Sequence, residues 1–227
     1  MNNHTVLITG ANRGIGLEFT KQYAADGWHV IACYRTPQTA VELLMLSTKH
    51  SNIKAVALDV ANFAQIDAVA HELADEKIDV LINNAGIYPN GSATELAWAE
   101  AFKTNAMAPF KVAQAFTQQL ANSELKKLVT LSSKMGSMED NTSGGSYIYR
   151  SSKAAVNMVM KSLSVDLQGH GISVLTLHPG WVQTDMGGAN ALINTQTSVT
   201  GMRQVIDNLS LQNTGQFIAF DGKPIGW

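Results

Sequence analysis

Along the chain, short apolar runs alternate with longer stretches in which apolar residues return every three or four positions. The runs cover residues 5–9 (TVLIT), 29–34 (HVIACY), 55–60 (AVALDV), 79–85 (DVLINNA), 127–133 (KLVTLSS), 172–178 (ISVLTLH) and 216–220 (QFIAF). Nearly continuous apolar character, rather than strict alternation, suits strands covered by helices on both faces, and it predicts buried strands. Between them Phe63, Ile66, Ala70 and Leu73 fall at helical spacing, as do Val156, Val159, Leu163 and Leu167. Alternating strand and helix signals predict βαβ units joined by right-handed crossovers, hence an α/β fold. No repeat, low-complexity tract or linker interrupts the pattern, so residues 1–227 read as one domain. Residues 184–200 (TDMGGANALINTQTSVT) are polar and glycine-bearing, which fits either a mobile loop beside a site or a plain surface connection.

Composition narrows the partners. Hydrophobic residues make up 45% and charged residues 15%, a balance that supplies a sizeable interior and argues against a disordered chain. The net charge is −2 and the only adjacent basic pair is Lys126-Lys127, so the basic stripe that duplex nucleic acid requires is missing. No apolar segment reaches the roughly 20 residues needed to span a bilayer, and MNNHTVLITG is not a basic leader followed by a long apolar stretch. A soluble, cytoplasmic protein with neither nucleic acid nor membrane as partner is expected. The single cysteine, Cys33, lies in an apolar run and reads as a buried structural thiol.

Candidate chemistry begins where the first strand ends. TGANRGIG places Gly10, Gly14 and Gly16 just ahead of the helical pattern LEFTKQYAADGW. At such a turn the backbone can approach a pyrophosphate, and the helix N-terminus offers unpaired N–H donors with a partial positive charge. The spacing differs from the Gly-x-Gly-x-x-Gly fingerprint, and a turn kept for tight helix-on-sheet packing is the alternative. At the end of the second strand an acid would bind a ribose 2′-hydroxyl, but the chain reads CYRTP with Arg35 there. A 2′-phosphate would meet that cation, with Arg13 as a possible second, so NADP(H) is favoured over NAD(H); a surface arginine without a ligand is the alternative.

Taken together, TGANRGIG, NNAG at 83–86, Asn105, LSS ending at Ser133, Tyr149-x-x-x-Lys153 and HPGWVQTDM at 178–186 resemble the short-chain dehydrogenase/reductase family over nearly the whole chain. LSSKMGS, YRSSKAA, KSLSVDL and FIAFDGKPIGW are most similar to its carbonyl reductases of the sniffer and C-factor type. The resemblance implies a Rossmann-like, doubly wound parallel sheet of about seven strands in the order 3-2-1-4-5-6-7. It implies a cofactor seat of Gly10, Asn12, Arg13, Gly14, Ile15 and Gly16 on the first turn, with Asp59 and Val60 beside the adenine. Asn83, Ala85 and Gly86 would line the cofactor after the fourth strand, and Pro179, Gly180, Val182 and Thr184 would hold its nicotinamide end. A homodimer or homotetramer is also implied. The segment between Ser133 and Tyr149 is a few residues longer than in many family members, which leaves the pocket wall undefined.

Tyr149 and Lys153 are four positions apart and share a helix face, whereas Tyr147 points elsewhere. A cation close to a phenol favours the phenolate and lowers its pKa from about 10 toward working pH. By the resemblance, Tyr149 exchanges the proton with a small aldehyde or ketone, Ser133 hydrogen-bonds the substrate oxygen, Lys153 also bonds the nicotinamide ribose, and Asn105 helps hold a water leading to the lysine. Each has a plainer alternative. A Tyr with a Lys four residues on is a common surface pair. Ser132 is an alternative to Ser133 as the substrate-facing residue, and Asn105 can serve to satisfy backbone groups where Pro109 disturbs a helix. His178 has no companions at metal-ligand spacing and reads as a packed histidine. The alternative function is a dinucleotide-binding signalling protein of C-factor type whose output is a protein contact.

Overall fold

The computed structural model describes residues 4–227. Its centre is a seven-stranded sheet in the order β3-β2-β1-β4-β5-β6-β7, with every neighbouring pair parallel. The strands are β1 (Thr5–Ile8), β2 (His29–Tyr34), β3 (Ile53–Ala57), β4 (Val80–Asn83), β5 (Lys127–Leu131), β6 (Ser173–His178) and β7 (Gln216–Ala219). The helices are α1 (Gly14–Ala25), α2 (Val41–Lys49), α3 (Phe63–Glu72), α4 (Glu95–Phe102), α5 (Ala108–Ala115), α6 (Thr117–Ala121), α7 (Tyr147–Asp166) and α8 (Thr195–Asp207).

Continuous apolar runs arise because both faces of the sheet are covered. On one face Leu7, Ile31, Leu81 and Leu128 meet Ile66 of α3, Val112 of α5 and Val156 and Met160 of α7. On the other, Val6, Ile8, Val30 and Ile82 meet Phe19 and Tyr23 of α1, Leu43 of α2 and Met202 of α8. Successive residues of one strand thus feed opposite cores, as a pleat requires.

Three details differ from the sequence expectation. The third strand starts two residues before the expected run 55–60 and ends at Ala57, because its register pairs Ile53–Ala57 with Val30–Tyr34. Asp59 then turns the chain into α3, its backbone N–H donating to Gln65 Oε1 and its Oδ1 accepting from Ala61. Residues 184–200 divide: α8 already begins at Thr195, where the Asn194 side chain accepts from the Thr197 N–H as an N-cap. Finally, α4 and α5 are joined through a π-helical turn, Lys103–Met107, which carries Asn105.

Candidate active site

The strands' carboxyl ends lie along one edge, where an open α/β sheet presents its ligand crevice. β4 stops at Asn83 and β5 at Leu131, so Asn84, Ala85, Ser132 and Ser133 leave the ladder there. α7 crosses this edge with Tyr149 and Lys153 near its start. The Lys153 ammonium is 5.8 Å from the centre of the Tyr149 ring and donates to the Leu131 carbonyl oxygen at 2.9 Å. Tyr147 is 71% exposed, which separates it from this group.

The electrostatics depart from the expected tuning. Desolvation pushes the Tyr149 phenol up to about 12, with Tyr88 adding to the rise and the Ser133 hydroxyl working the other way. Desolvation also pulls Lys153 down to about 8. The expected lowering by the lysine is not what sets this phenol's pKa: enclosure dominates, and the lysine's hydrogen bond goes to a backbone carbonyl.

Ser132 and Ser133 are distinguished by their partners. Ser132 donates to Asn157 Oδ1 at 2.5 Å inside α7's packing surface, whereas Ser133 is the serine that acts on the Tyr149 phenol. Ser133 Oγ also accepts from the Met135 N–H, shaping the short turn Lys134–Gly136. Asn105 is buried and hydrogen-bonded at both ends of its amide: Oδ1 accepts from the Ile87 N–H at 2.8 Å, while Nδ2 donates to the Ile87 carbonyl oxygen and to Ser152 Oγ. A Cβ on Gly86 would lie 3.3 Å from Asn105 Oδ1 and 3.7 Å from Lys153 Nζ, so Gly86, Asn105 and Lys153 border one small space.

The glycine turn is braced from below by close backbone packing. Gly10, with φ +64°, lies so close to Ala85 that a Cβ would sit 3.0 Å from the Ala85 Cα, and a Cβ on Gly16 would meet the Gly10 carbonyl oxygen at 2.3 Å. Packing thus requires Gly10 and Gly16 whatever else the turn does. Asn12 donates to the Thr39 carbonyl oxygen, and Ile15 packs against the core. Arg13 gives α1 no side-chain cap, as is also the case for α2, α5, α6 and α7, so no side chain of the preceding residue competes with an external acceptor for its first N–H groups. Across the crevice, Thr184 approaches Gly14, and Asp185 pairs with Arg13. Arg35 is exposed at the end of β2.

Beyond β6, Pro179 accepts from Ser198 Oγ, Gly180 has φ +85° against Phe220 and Ile193, and Val182 forms a bridge with Ile193. Two expected lining residues turn inward. Asn83 is buried, its Nδ2 donating to the Pro109 carbonyl oxygen and Thr130 Oγ1, and the Val60 side chain belongs to the core. Asn84, the next residue, faces the glycine turn and donates to the carbonyl oxygens of Thr9 and Gly10, while Thr9 Oγ1 accepts from the Asn84 and Ala85 N–H groups. The doublet in NNAG was the signal for it. Tyr88 and Gly136 were missed altogether. The Tyr88 ring lies 4.6 Å from that of Tyr149, and a Cβ on Gly136 would fall 2.7 Å from the Lys153 backbone. His178 is held with its Nδ1 accepting from the Lys134 N–H, and burial pulls it down to about 4.

The family model for short chain dehydrogenase matches residues 4–195. The chain is similar to C-signal of Myxococcus xanthus, 41% identical over 70% of this chain and 99% of that one. It is 35% identical to an uncharacterized oxidoreductase of Schizosaccharomyces pombe over 97% of this chain and 96% of the other. Among solved structures, an NADPH-bound carbonyl reductase from chicken fatty liver superposes with a TM-score of 0.93 at 36% identity, covering 100% of both chains. The carbonyl reductase Sniffer of D. melanogaster superposes at 0.91 with 34% identity and the same coverage.

Proposed function

The chain belongs to the short-chain dehydrogenase family of oxidoreductases, and from that premise we propose that it is an NADP(H)-dependent reductase of small aldehydes and ketones, seat and chemistry being carried by one domain. The observation that carries this reading is the convergence of Ser133, Tyr149 and Lys153 at the carboxyl edge of the sheet, opposite the uncapped start of α1.

The residues fit the dinucleotide. A pyrophosphate suits the free N–H groups of α1, and Gly86 leaves open the space beside Asn105 and Lys153 that a side chain would fill. Arg35 and Arg13 supply cations for a 2′-phosphate, and the NADPH-bound chicken carbonyl reductase supports that choice. When bound, the cofactor supplies or accepts the hydride. The protein does the rest. Ser133 donates a hydrogen bond to the substrate oxygen as negative charge develops on it, and Tyr149, protonated at neutral pH, gives that oxygen its proton. The Lys153 ammonium, confined beside the phenol, stabilises the tyrosinate left behind. Alcohol oxidation uses the same groups in reverse.

NADPH consumption with a panel of small aldehydes and ketones tests this in wild type, Tyr149→Phe and Tyr147→Phe. Turnover lost in Tyr149→Phe and kept in Tyr147→Phe is expected; wild-type rates in both variants would overturn the assignment. Similarity to C-signal favours a second reading, in which bound dinucleotide serves a signalling output. A cellular phenotype that survives Tyr149→Phe would select it.

A further inference from the structure

Tyr88 leans on Tyr149 and has no role in the chemistry above. Its ring centre is 4.6 Å from that of Tyr149, with the planes inclined at 46°. Its hydroxyl shares a hydrogen bond of 2.8 Å with Ser146 Oγ, 58 residues away in sequence. Both ends of this contact are anchored. The preceding residue, Ile87, is gripped at its N–H and its carbonyl oxygen by the Asn105 side chain, so the backbone leading to Tyr88 is fixed to the π-helical turn.

At the other end, Ser146 immediately precedes α7. A serine there ordinarily turns its oxygen to the helix's free N–H groups, but Ser146 makes no such cap. Its backbone has φ +45°, following Gly144 at +63° and Gly145 at +68°. A left-handed conformation costs a serine what it would not cost a glycine. The conformation and the missing cap share one outcome: the hydroxyl faces Tyr88. Arg150 holds the approach to Ser146 from the helix side, donating to Ser143 Oγ and to the carbonyl oxygens of Gly144 and Met135.

We propose that Tyr88 is a positioning residue for Tyr149: its ring supports one side of the Tyr149 ring, and its hydroxyl ties the loop after β4 to the residue that starts α7. This rests on the reading of Tyr149 as proton donor. A phenol that moves by a fraction of an ångström against a bound carbonyl loses rate steeply, which gives the support its function.

The test uses benzaldehyde and NADPH with Tyr88→Leu, Tyr88→Phe, Ser146→Ala and the Phe/Ala double variant, with Tyr149→Phe as reference. Tyr88→Leu should lower kcat roughly tenfold while the Kd for NADPH, read by fluorescence, stays within about twofold. Tyr88→Phe keeps the ring and should recover most of that loss. It and Ser146→Ala should each lose about threefold in kcat/KM, and the double variant no more than either. Wild-type kcat in Tyr88→Leu alongside an inactive Tyr149→Phe would overturn the proposal. Additive losses in the double variant would remove the hydroxyl tie. A Tyr149→Phe variant with wild-type turnover would instead sink the functional reading beneath it.

Discussion

Lys153 holds its ammonium nitrogen 5.8 Å from the centre of the Tyr149 ring, yet its hydrogen bond goes to the Leu131 carbonyl oxygen on β5. The lysine is thus pinned to the sheet and the tyrosine stands over it, one helical turn away. Keeping that charge inside costs stability. The Lys153 pKa falls from 10.5 to about 8 on folding, so between those values the unfolded chain binds more protons, and stability rises with pH across that window. Below about pH 8 the full penalty is present, on the order of 3 kcal/mol. Lys153→Met should therefore be more stable than wild type near neutral pH and lack the alkaline rise. Its carbonyl reduction should fall by roughly 100-fold or more. Urea denaturation at neutral and alkaline pH, set beside NADPH oxidation, measures both; equal stability of the two proteins at neutral pH would contradict the argument.

His178 makes the complementary prediction on the acid side. It accepts the Lys134 N–H at Nδ1, and burial, with the Lys134 cation second, lowers its pKa from 6.5 to about 4. The unfolded chain again binds more protons inside the window, so stability is lost as pH falls from 6.5 toward 4, by about 3 kcal/mol at most. His178→Asn offers an oxygen in place of Nδ1 and does not titrate. Its unfolding free energy should change less over that range, measured by chemical denaturation.

Cofactor preference separates Arg35 from Arg13. Arg35 is exposed, whereas Arg13 faces Asp185 across the crevice mouth. Arg35→Ala should weaken NADPH binding roughly 10- to 100-fold and leave NADH almost unchanged, the effect of losing one charge-assisted contact to phosphate. Asp185→Asn removes the carboxylate that competes for Arg13. Because that ion pair is open to water, the gain in NADPH affinity should be only about two- to fivefold. Calorimetric titration with both dinucleotides checks this, and equal affinities for the two in wild type would remove the case for a phosphate site.

The sheet was legible because each strand feeds two cores, which writes apolar residues at consecutive positions such as Val6, Leu7 and Ile8. The third strand was misaligned because Lys54, its half-buried second residue, breaks the run that marks the others. The Tyr149–Lys153 pair was legible because both residues lie on one helix, where spacing fixes the face. Asn83 and Asn84 turn their side chains to different partners, and in a strand one residue changes the side to which a side chain points, which a doublet in the sequence does not specify. The direction of the Tyr149 shift was hidden for another reason: desolvation depends on what folds over the phenol. Tyr88 comes from 61 residues upstream, and no local pattern announces its contact.

Gly136 is the least visible support of the site. The turn after Ser133 lies against α7 so closely that a Cβ on Gly136 would fall 2.7 Å from both the Lys153 carbonyl carbon and Cβ, and 3.0 Å from the Ala154 nitrogen. Two of those atoms belong to helix backbone and cannot swing aside as a side-chain tip would, so either the turn or the helix must move. The same turn is clasped by Asn157, whose Nδ2 donates to the Gly136 carbonyl oxygen while its Oδ1 accepts from Ser132. An added methyl therefore separates Ser133 from Tyr149 and strains the clasp together. Gly136→Ala should cost about 1–3 kcal/mol of stability and reduce kcat at least tenfold, with NADPH affinity nearly preserved because the glycine turn at residues 10–16 lies on other elements. Thermal unfolding together with kcat and NADPH Kd tests the account. A variant as stable and active as wild type would show that the turn and α7 can separate without moving the serine from the phenol.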